Sequence, residues 1–532
     1  MKLSKNNIEM VAFAALFLSA LYLWTLPMQS AKLPFGDVDA SSHFVIGDLM
    51  VQSNKAVLEL PYHVTFRYYG QNNNYPSYLW YPPQYWTLTA MLQVFGGERI
   101  LPVFFGIAIL SLAFVITSFI FIRELFGFWT AWLSSLLLMF STRDYMTYLW
   151  GQWPQLLSFG LTPLILYCYY KYTISLKNHK LLQTPTNHSY IYFASIFLAG
   201  QFFFHPQGMV ASAGAIIIST MLFTVKHKKL FFNLKHTAAA ILLFFAITSV
   251  FAPFNVGEFW HELLSGDGSP AGQNNLGKLF KWYHIQKDEG LPDFYFTYSK
   301  THGSFNESLF SWWTLPFLLL GIFFVIYLRK DEHIVMLSWL IALYFLTRMG
   351  AFGMGSRDIR MFAFEAHVFY PLIALGAISL SGLFGKHKQY AKYAIIALFL
   401  ILALSVNGKS AYSTMKGMQY SISRINPYQY EAAEWIGKNL EVKDNVYDVG
   451  TLGYNYYGGK IKWMSTLSQR HFIMEDRWKN ITNYIMFDYT DSILLRDQSQ
   501  VNAMQELEKN FANFTLVYNR NNIKVYKIGA SN

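Results

Sequence analysis

The chain has 532 residues, 53% of them hydrophobic and 18% aromatic, and only 14% are charged. Soluble proteins carry about 25% charged residues, so this composition excludes a string of soluble domains, which would lack the polar surface to cover themselves. A net charge of +11 would point a soluble protein toward nucleic acid, but in a membrane chain it marks the cytoplasmic loops, and a single cysteine, Cys168, excludes a disulfide framework and a cysteine-built zinc cluster.

About 20 apolar residues cross a bilayer. The apolar runs predict eleven spans, at 9–27, 100–122, 127–141, 154–170, 189–204, 207–225, 237–254, 311–328, 333–349, 361–384 and 392–407. The first follows Lys2 and Lys5 and continues into LYLWTLPM without an A-x-A-like cleavage site, so it reads as a retained anchor. The segment PPQYWTLTAMLQVF, 82–95, is short for a span and reads as a re-entrant or interfacial helix. Apart from Arg348, which is costly if it faces lipid and so points inward, the spans are expected to hold almost no ionisable residue.

Eleven spans place the termini on opposite sides, and the positive-inside rule selects a cytoplasmic N-terminus. The inner segments then collect Lys2, Lys5, Arg123, Lys171, Lys177, Lys180, Lys226, Lys228, Lys229, Lys235, Arg329, Lys330, Lys386, Lys388 and Lys392 against the acids Glu124, Asp331 and Glu332. The short outer loops hold only Arg143, Arg357 and Arg360. The expected product is an α-helical polytopic membrane protein: residues 1–407 form a transmembrane domain with large outer loops 28–99 and 255–310, and 408–532 form a small extracytoplasmic α/β domain. Within that domain YQYEAAEWIGKNL puts Tyr430, Ala433, Ile436 and Leu440 on one helical face, and NVYDVG, FTLVY and IKVYKI read as short strands.

The candidate chemistry lies where the chain leaves the membrane. In PFGDVDASSHF, 34–44, a turn opened by Pro34 and Gly36 can bring Asp37 and Asp39 to one site. Two close carboxylates bind a divalent cation or make one of the pair a usable base; otherwise Asp39 simply caps the helix that follows. The aromatic loop NNNYPSYLWYPPQYW, with Tyr81 and Trp86, is an interfacial anchor or a platform for sugar rings. In STRDYMTYLWGQWPQ, Asp144 either pairs with Arg143 or joins Asp37 and Asp39. In GMGSRDIRMFAFEAH, Arg357 and Arg360 lie on one helical face, where their planar forks suit phosphate oxygens or pair with Asp358 and Glu365. His205, in the turn FHPQG, and His43 are acids, ligands or structural groups. Asn306, Asn480 and Asn513 open N-x-S/T sequons on outer segments, and Asn187 opens one on an inner segment.

Taken in order, GDVD in the first outer loop, YPPQYW, the inner turn RELFG, the acidic loop RDYMTYLWGQWPQ, the late arginines and a C-terminal outer domain ending LVYNRNNIKVYKI resemble the GT-C superfamily of membrane glycosyltransferases. The organisation is closest to protein mannosyltransferases and to oligosaccharyltransferase catalytic subunits. The resemblance implies transfer of a sugar from a polyprenyl-phosphate (or dolichol-phosphate) carrier to a glycan, lipid or protein acceptor at the outer face of the cell membrane. It implies Asp37, Asp39 and Asp144 as the catalytic acids and Arg357 and Arg360 as the donor-phosphate ligands; His43, His205, Tyr81 and Trp86 are additional candidates from their positions. It requires no cofactor and admits a divalent cation, Mg or Mn, held by the three aspartates. The WWDYG signature of oligosaccharyltransferases is absent, and the nearest stretch, 461–478, lacks it, which argues against sequon recognition. The rival classes are a lipid or solute transporter or flippase, which needs ionisable residues deep in several spans, and a non-catalytic membrane protein with an outer domain. Nucleic acid is not expected as a partner.

Overall fold

In the computed structural model, residues 5–29, 32–36, 38–57, 61–64, 83–182, 187–249, 312–346, 358–418, 425–449, 458–473 and 482–528 are described. The chain is predominantly helical with one small sheet, the polytopic architecture expected from its composition. Helices fall on all eleven expected spans. Four stretches among the described residues are long and apolar enough to cross a membrane: Asn7–Gln29, Leu101–Phe126, Pro206–His227 and the run of helical segments Phe364–Gly417. The segment expected to be a short interfacial helix is one, Gln84–Gly96, ended by Gly97 in the left-handed conformation. The outer loop 255–310 lies outside the described residues.

Two compact units divide the chain. The first comprises 1–24, 108–147 and 154–414; the second comprises 25–107, 148–153 and 415–532. In the first, helices pair as apolar faces require: Pro206–His227 on Asp331–Leu346, Leu315–Leu328 on Asp358–Leu380, and Ala113–Phe126 on Phe128–Met139. Helices without a hydrophobic drive between them pack closest where a side chain is missing. Gly321 shows this, because a Cβ there would lie 2.0 Å from the Leu372 carbonyl oxygen.

Three helices of this unit are tied by charge. Asp331, in the first turn of Asp331–Leu346, accepts from Lys177 Nζ at 2.6 Å, Lys226 Nζ at 2.6 Å and His227 Nε2 at 3.1 Å. Burial alone would raise the Asp331 pKa, but the two lysines and the histidine outweigh it and hold it at about 2. A depressed pKa means that the contribution to stability is complete above the ordinary value of 3.8 and is lost as pH falls through about 2. Asp331→Asn is expected to destabilise the unit by about 1–2 kcal/mol at pH 7, because the two lysines are a third exposed and partly screened. Thermal melts of the detergent-solubilised protein should show the variant losing the acid-dependent fall in stability between pH 4 and pH 2; an unchanged midpoint and acid limb would refute the tie.

In the second unit the sheet runs in the order β2-β1-β3-β5-β4, with β1 Asn445–Asp448, β2 His471–Ile473, β3 Tyr484–Asp488, β4 Thr515–Arg520 and β5 Ile523–Lys527. β1 is parallel to β2 and β3, while β5 is antiparallel to β3 and β4. Asn521 and Asn522, both at positive φ, close the β4–β5 hairpin, the conformation that Asn tolerates best after Gly. The expected helix is Pro427–Asn439, started by Pro427 at its first position and a capping box between Asn426 and Gln429. Ala433, Ile436 and Leu440 are buried as expected, and Tyr430 is half-buried. The three expected strands are β1, β4 and β5; β2 and β3 were not anticipated.

The first outer loop belongs to this unit. Its helix Val38–Ser53 packs on Gly458–Ser468, with Phe44 edge-on to Trp463 at 5.5 Å and Trp463 Nε1 donating to the Gly36 carbonyl at 3.1 Å. Asp48, fully buried, takes a two-pronged contact from Arg99 at 2.9 and 2.7 Å and a third bond from Gln93 Nε2 at 3.3 Å. The same guanidinium donates to the Leu467 carbonyl at 3.0 Å.

Candidate active site

Asp39 stands in the first turn of Val38–Ser53, half-buried, where the partial positive charge of a helix N-terminus favours a carboxylate. His43 follows one turn later and meets Tyr85 edge to face at 5.5 Å. Trp86, next along, is fully buried, so it serves packing rather than a solvent-facing platform. The turn before Asp39 is held by two glycines in the left-handed region. Gly36 has φ +104° and Gly151 has φ +88°, and a Cβ on Gly151 would lie 2.2 Å from the Ala40 nitrogen. The acidic motif is thus pressed by its own backbone against the turn 148–151 of the second acidic loop. Asp37 and Tyr81 lie outside the described residues.

In the first unit, Asp144 occupies the first turn of Thr142–Trp150 and has no solvent exposure. Its partner is distant in sequence: His367 Nε2, on Asp358–Leu380, donates to Asp144 Oδ1 at 2.8 Å. The imidazole is also fully buried. It stacks on Phe114 at 5.0 Å with the planes 2° apart, and meets Phe364 edge-on at 5.6 Å. Phe364 in turn stacks on Phe159 at 3.7 Å. Among the described residues, Asp144 Oδ2 and His367 Nδ1 are buried without a hydrogen-bond partner. A buried polar atom left unbonded costs about 1–3 kcal/mol, so each marks a place where a ligand or water has something to gain.

Arg357 and Arg348 lie outside the described residues. Arg360 is in the first turn of Asp358–Leu380. His205 caps Pro206–His227 by accepting from the Gln207 amide at 3.4 Å, and its carbonyl accepts from Ser158 Oγ at 2.6 Å. These two bonds are those of a helix terminus. Glu365 and His367 are both buried on a helix that coincides with an expected span, which corrects the expectation that Arg348 was nearly alone among ionisable residues there. His367 was not singled out in the sequence. The signal existed, since a titratable side chain in a span marks function by default, but its partner is 223 residues away.

Among the described residues no group of three or more His, Cys, Asp or Glu assembles that could hold a metal ion.

No protein-family model and no curated protein sequence matches the chain. Crystal structures do. ArnT from Cupriavidus metallidurans bound to undecaprenyl phosphate superposes with a TM-score of 0.57 at 11% identity, over 98% of both chains. The same protein in the apo state gives 0.55 at 9% identity over 98% of this chain and 99% of that one. The Archaeoglobus fulgidus oligosaccharyltransferase tethered to an acceptor peptide containing the NVT sequon gives 0.51 at 14% identity, over 89% of this chain and 69% of that one. At such identities the likeness is one of fold: the chain shares the fold of ArnT and of the oligosaccharyltransferase.

Proposed function

We propose, from this shared fold, that the chain is a glycosyltransferase that moves a sugar from a polyprenyl-phosphate donor to an acceptor at the outer face of the membrane. The observation that carries the reading is Asp144: a fully buried carboxylate, fixed through one oxygen and, among the described residues, unbonded at the other, in the segment where such enzymes keep an acid. A purely structural carboxylate at this depth would be expected to satisfy both oxygens. N-terminus in, C-terminal domain out, is the orientation that goes with this reading.

In the proposed reaction the acceptor hydroxyl attacks the anomeric carbon. The bond from that carbon to the phosphate oxygen breaks, and its electron pair leaves with the polyprenyl phosphate. The hydroxyl proton passes to a carboxylate, for which Asp37 is the proposed base, with Asp39 and Asp144 orienting donor and acceptor hydroxyls. Arg357 and Arg360 are the proposed ligands of the departing phosphate, where two guanidinium forks stabilise the charge that develops. Inversion at the anomeric carbon follows from a single displacement. No step requires a metal, and none is routed through one.

The test is transfer of labelled sugar from polyprenyl-phosphate donors in membranes containing the chain. Asp37→Asn should lower kcat by about 10²–10⁴-fold, the range for loss of a general base, and Arg357→Ala together with Arg360→Ala should raise KM for the lipid donor. Unchanged transfer by Asp37→Asn would remove the proposed base, and lipid movement without sugar transfer would favour the flippase reading.

A further inference from the structure

We propose that His367 is a positioning residue for Asp144: it locks one carboxylate oxygen so that the other is presented, at fixed orientation, to a hydroxyl of the sugar or acceptor. The inference rests on the glycosyltransferase reading and deepens it. Three observations carry it. The Nε2–Oδ1 bond of 2.8 Å joins two side chains with no solvent exposure, on helices distant in sequence, Thr142–Trp150 and Asp358–Leu380. A carboxylate oxygen facing Nε2 can only accept when ionised, so Nε2 carries the hydrogen and the tautomer is set by the pair. The ring cannot swing, because Phe114 lies flat against it and Phe364 closes its edge, itself stacked on Phe159.

The remaining valences are what turn a packing contact into a device. Asp144 Oδ2 is buried and accepts no hydrogen bond from any of the described residues. With Oδ1 held, the direction of the free oxygen's lone pairs is fixed by the imidazole rather than by the aspartate's own χ2, which is a soft torsion. An acceptor of fixed direction discriminates between hydroxyl geometries, and a sugar differs from its epimers only in that respect. Stacking on Phe114 excludes water from the ring face, which strengthens the bond that does the holding. Nδ1, also unbonded, leaves the ring with no competing hydrogen bond that would pull it off the carboxylate.

The experiment uses the full chain, purified in detergent, with labelled polyprenyl-phosphate sugar as donor. His367→Phe keeps the ring volume and the stack on Phe114 but removes the donor; His367→Gln keeps a donor near the position of Nε2. The expected result is a kcat at least about tenfold lower for His367→Phe with KM for the lipid donor changed less than about twofold, because orientation, not binding, is lost. His367→Gln should recover most of that rate. The pair His367→Phe with Asp144→Asn should be no slower than Asp144→Asn alone, since one residue acts through the other. Equal losses for the Phe and Gln variants, or multiplying losses in the double variant, would overturn the positioning role. A parent protein that releases no sugar from any polyprenyl-phosphate donor overturns the glycosyltransferase reading and this role with it, whereas an active parent matched by His367→Phe overturns this role alone. Should His367→Phe fail to fold, the kcat of Asp144→Asn/His367→Gln against Asp144→Asn decides: equal rates support the role, and a further fall refutes it.

Discussion

Arg99→Ala should destabilise the second unit by about 3–5 kcal/mol, the cost of stranding a buried charge. Asp48 has no solvent exposure, and without the guanidinium it keeps a single bond, from Gln93 at 3.3 Å. The loss is larger than for an exposed pair, because Asp48 itself has no contact with solvent. It also cuts the bond from Arg99 to the Leu467 carbonyl, which joins the first outer loop to the helix Gly458–Ser468. Arg99→Lys retains charge but not the two-pronged geometry, and so should fall between parent and Ala. Replacing both members by apolar residues of similar size should cost less than Arg99→Ala alone. Denaturant titrations of the purified chain measure all three; an Arg99→Ala midpoint within error of the parent would show that Asp48 is neutralised some other way.

Gly151→Ala is expected to lower sugar transfer about a hundredfold while leaving the chain folded. A Cβ at this position would lie 2.2 Å from the Ala40 nitrogen and 2.3 Å from its Cα, and the backbone φ of +88° is itself unfavourable for any residue with a Cβ. Backbone atoms cannot step aside as a flexible side chain can, so the turn that carries Asp39 has to shift. A displacement of about 1 Å at a group that orients a reacting atom costs about 10²-fold in rate. The same clash elsewhere would be felt mainly in stability. Initial rates and thermal midpoints measured together separate these, and a variant with parental kcat would show that the Asp39 turn is not part of the site.

Much of the architecture was legible because it is written in runs of apolar residues. A span needs only length and hydropathy, and helices stand on all eleven predicted runs, although two of the runs are divided, at Leu112 and at Leu161. The strand β4 was readable from FTLVY and β5 from IKVYKI, both β-branched and aromatic. β2 has only three residues, too few for any periodicity, and β3, YIMFD, is buried throughout, so it lacks the alternation that identifies a half-exposed strand. The site was legible by kind and not by partner. Asp144 stood out as an acid at a membrane boundary, but its natural neighbour in sequence was Arg143, and the residue that holds it is His367. Asp48 drew no attention at all, since an aspartate in a helix is unremarkable until its guanidinium partner is found 51 residues away. Pairings that depend on the completed fold leave no local pattern.

The packing of Val38–Ser53 on Gly458–Ser468 sets a schedule for biogenesis. About 400 residues of chain separate the two helices, and at about 5–20 residues per second the ribosome needs roughly 20–80 s to supply the second after the first has emerged. Through that interval Phe44 waits for Trp463, whereas Asp48 has Gln93 and Arg99 within 45 and 51 residues of chain. The contact between these two helices is therefore a late event in the assembly of the second unit.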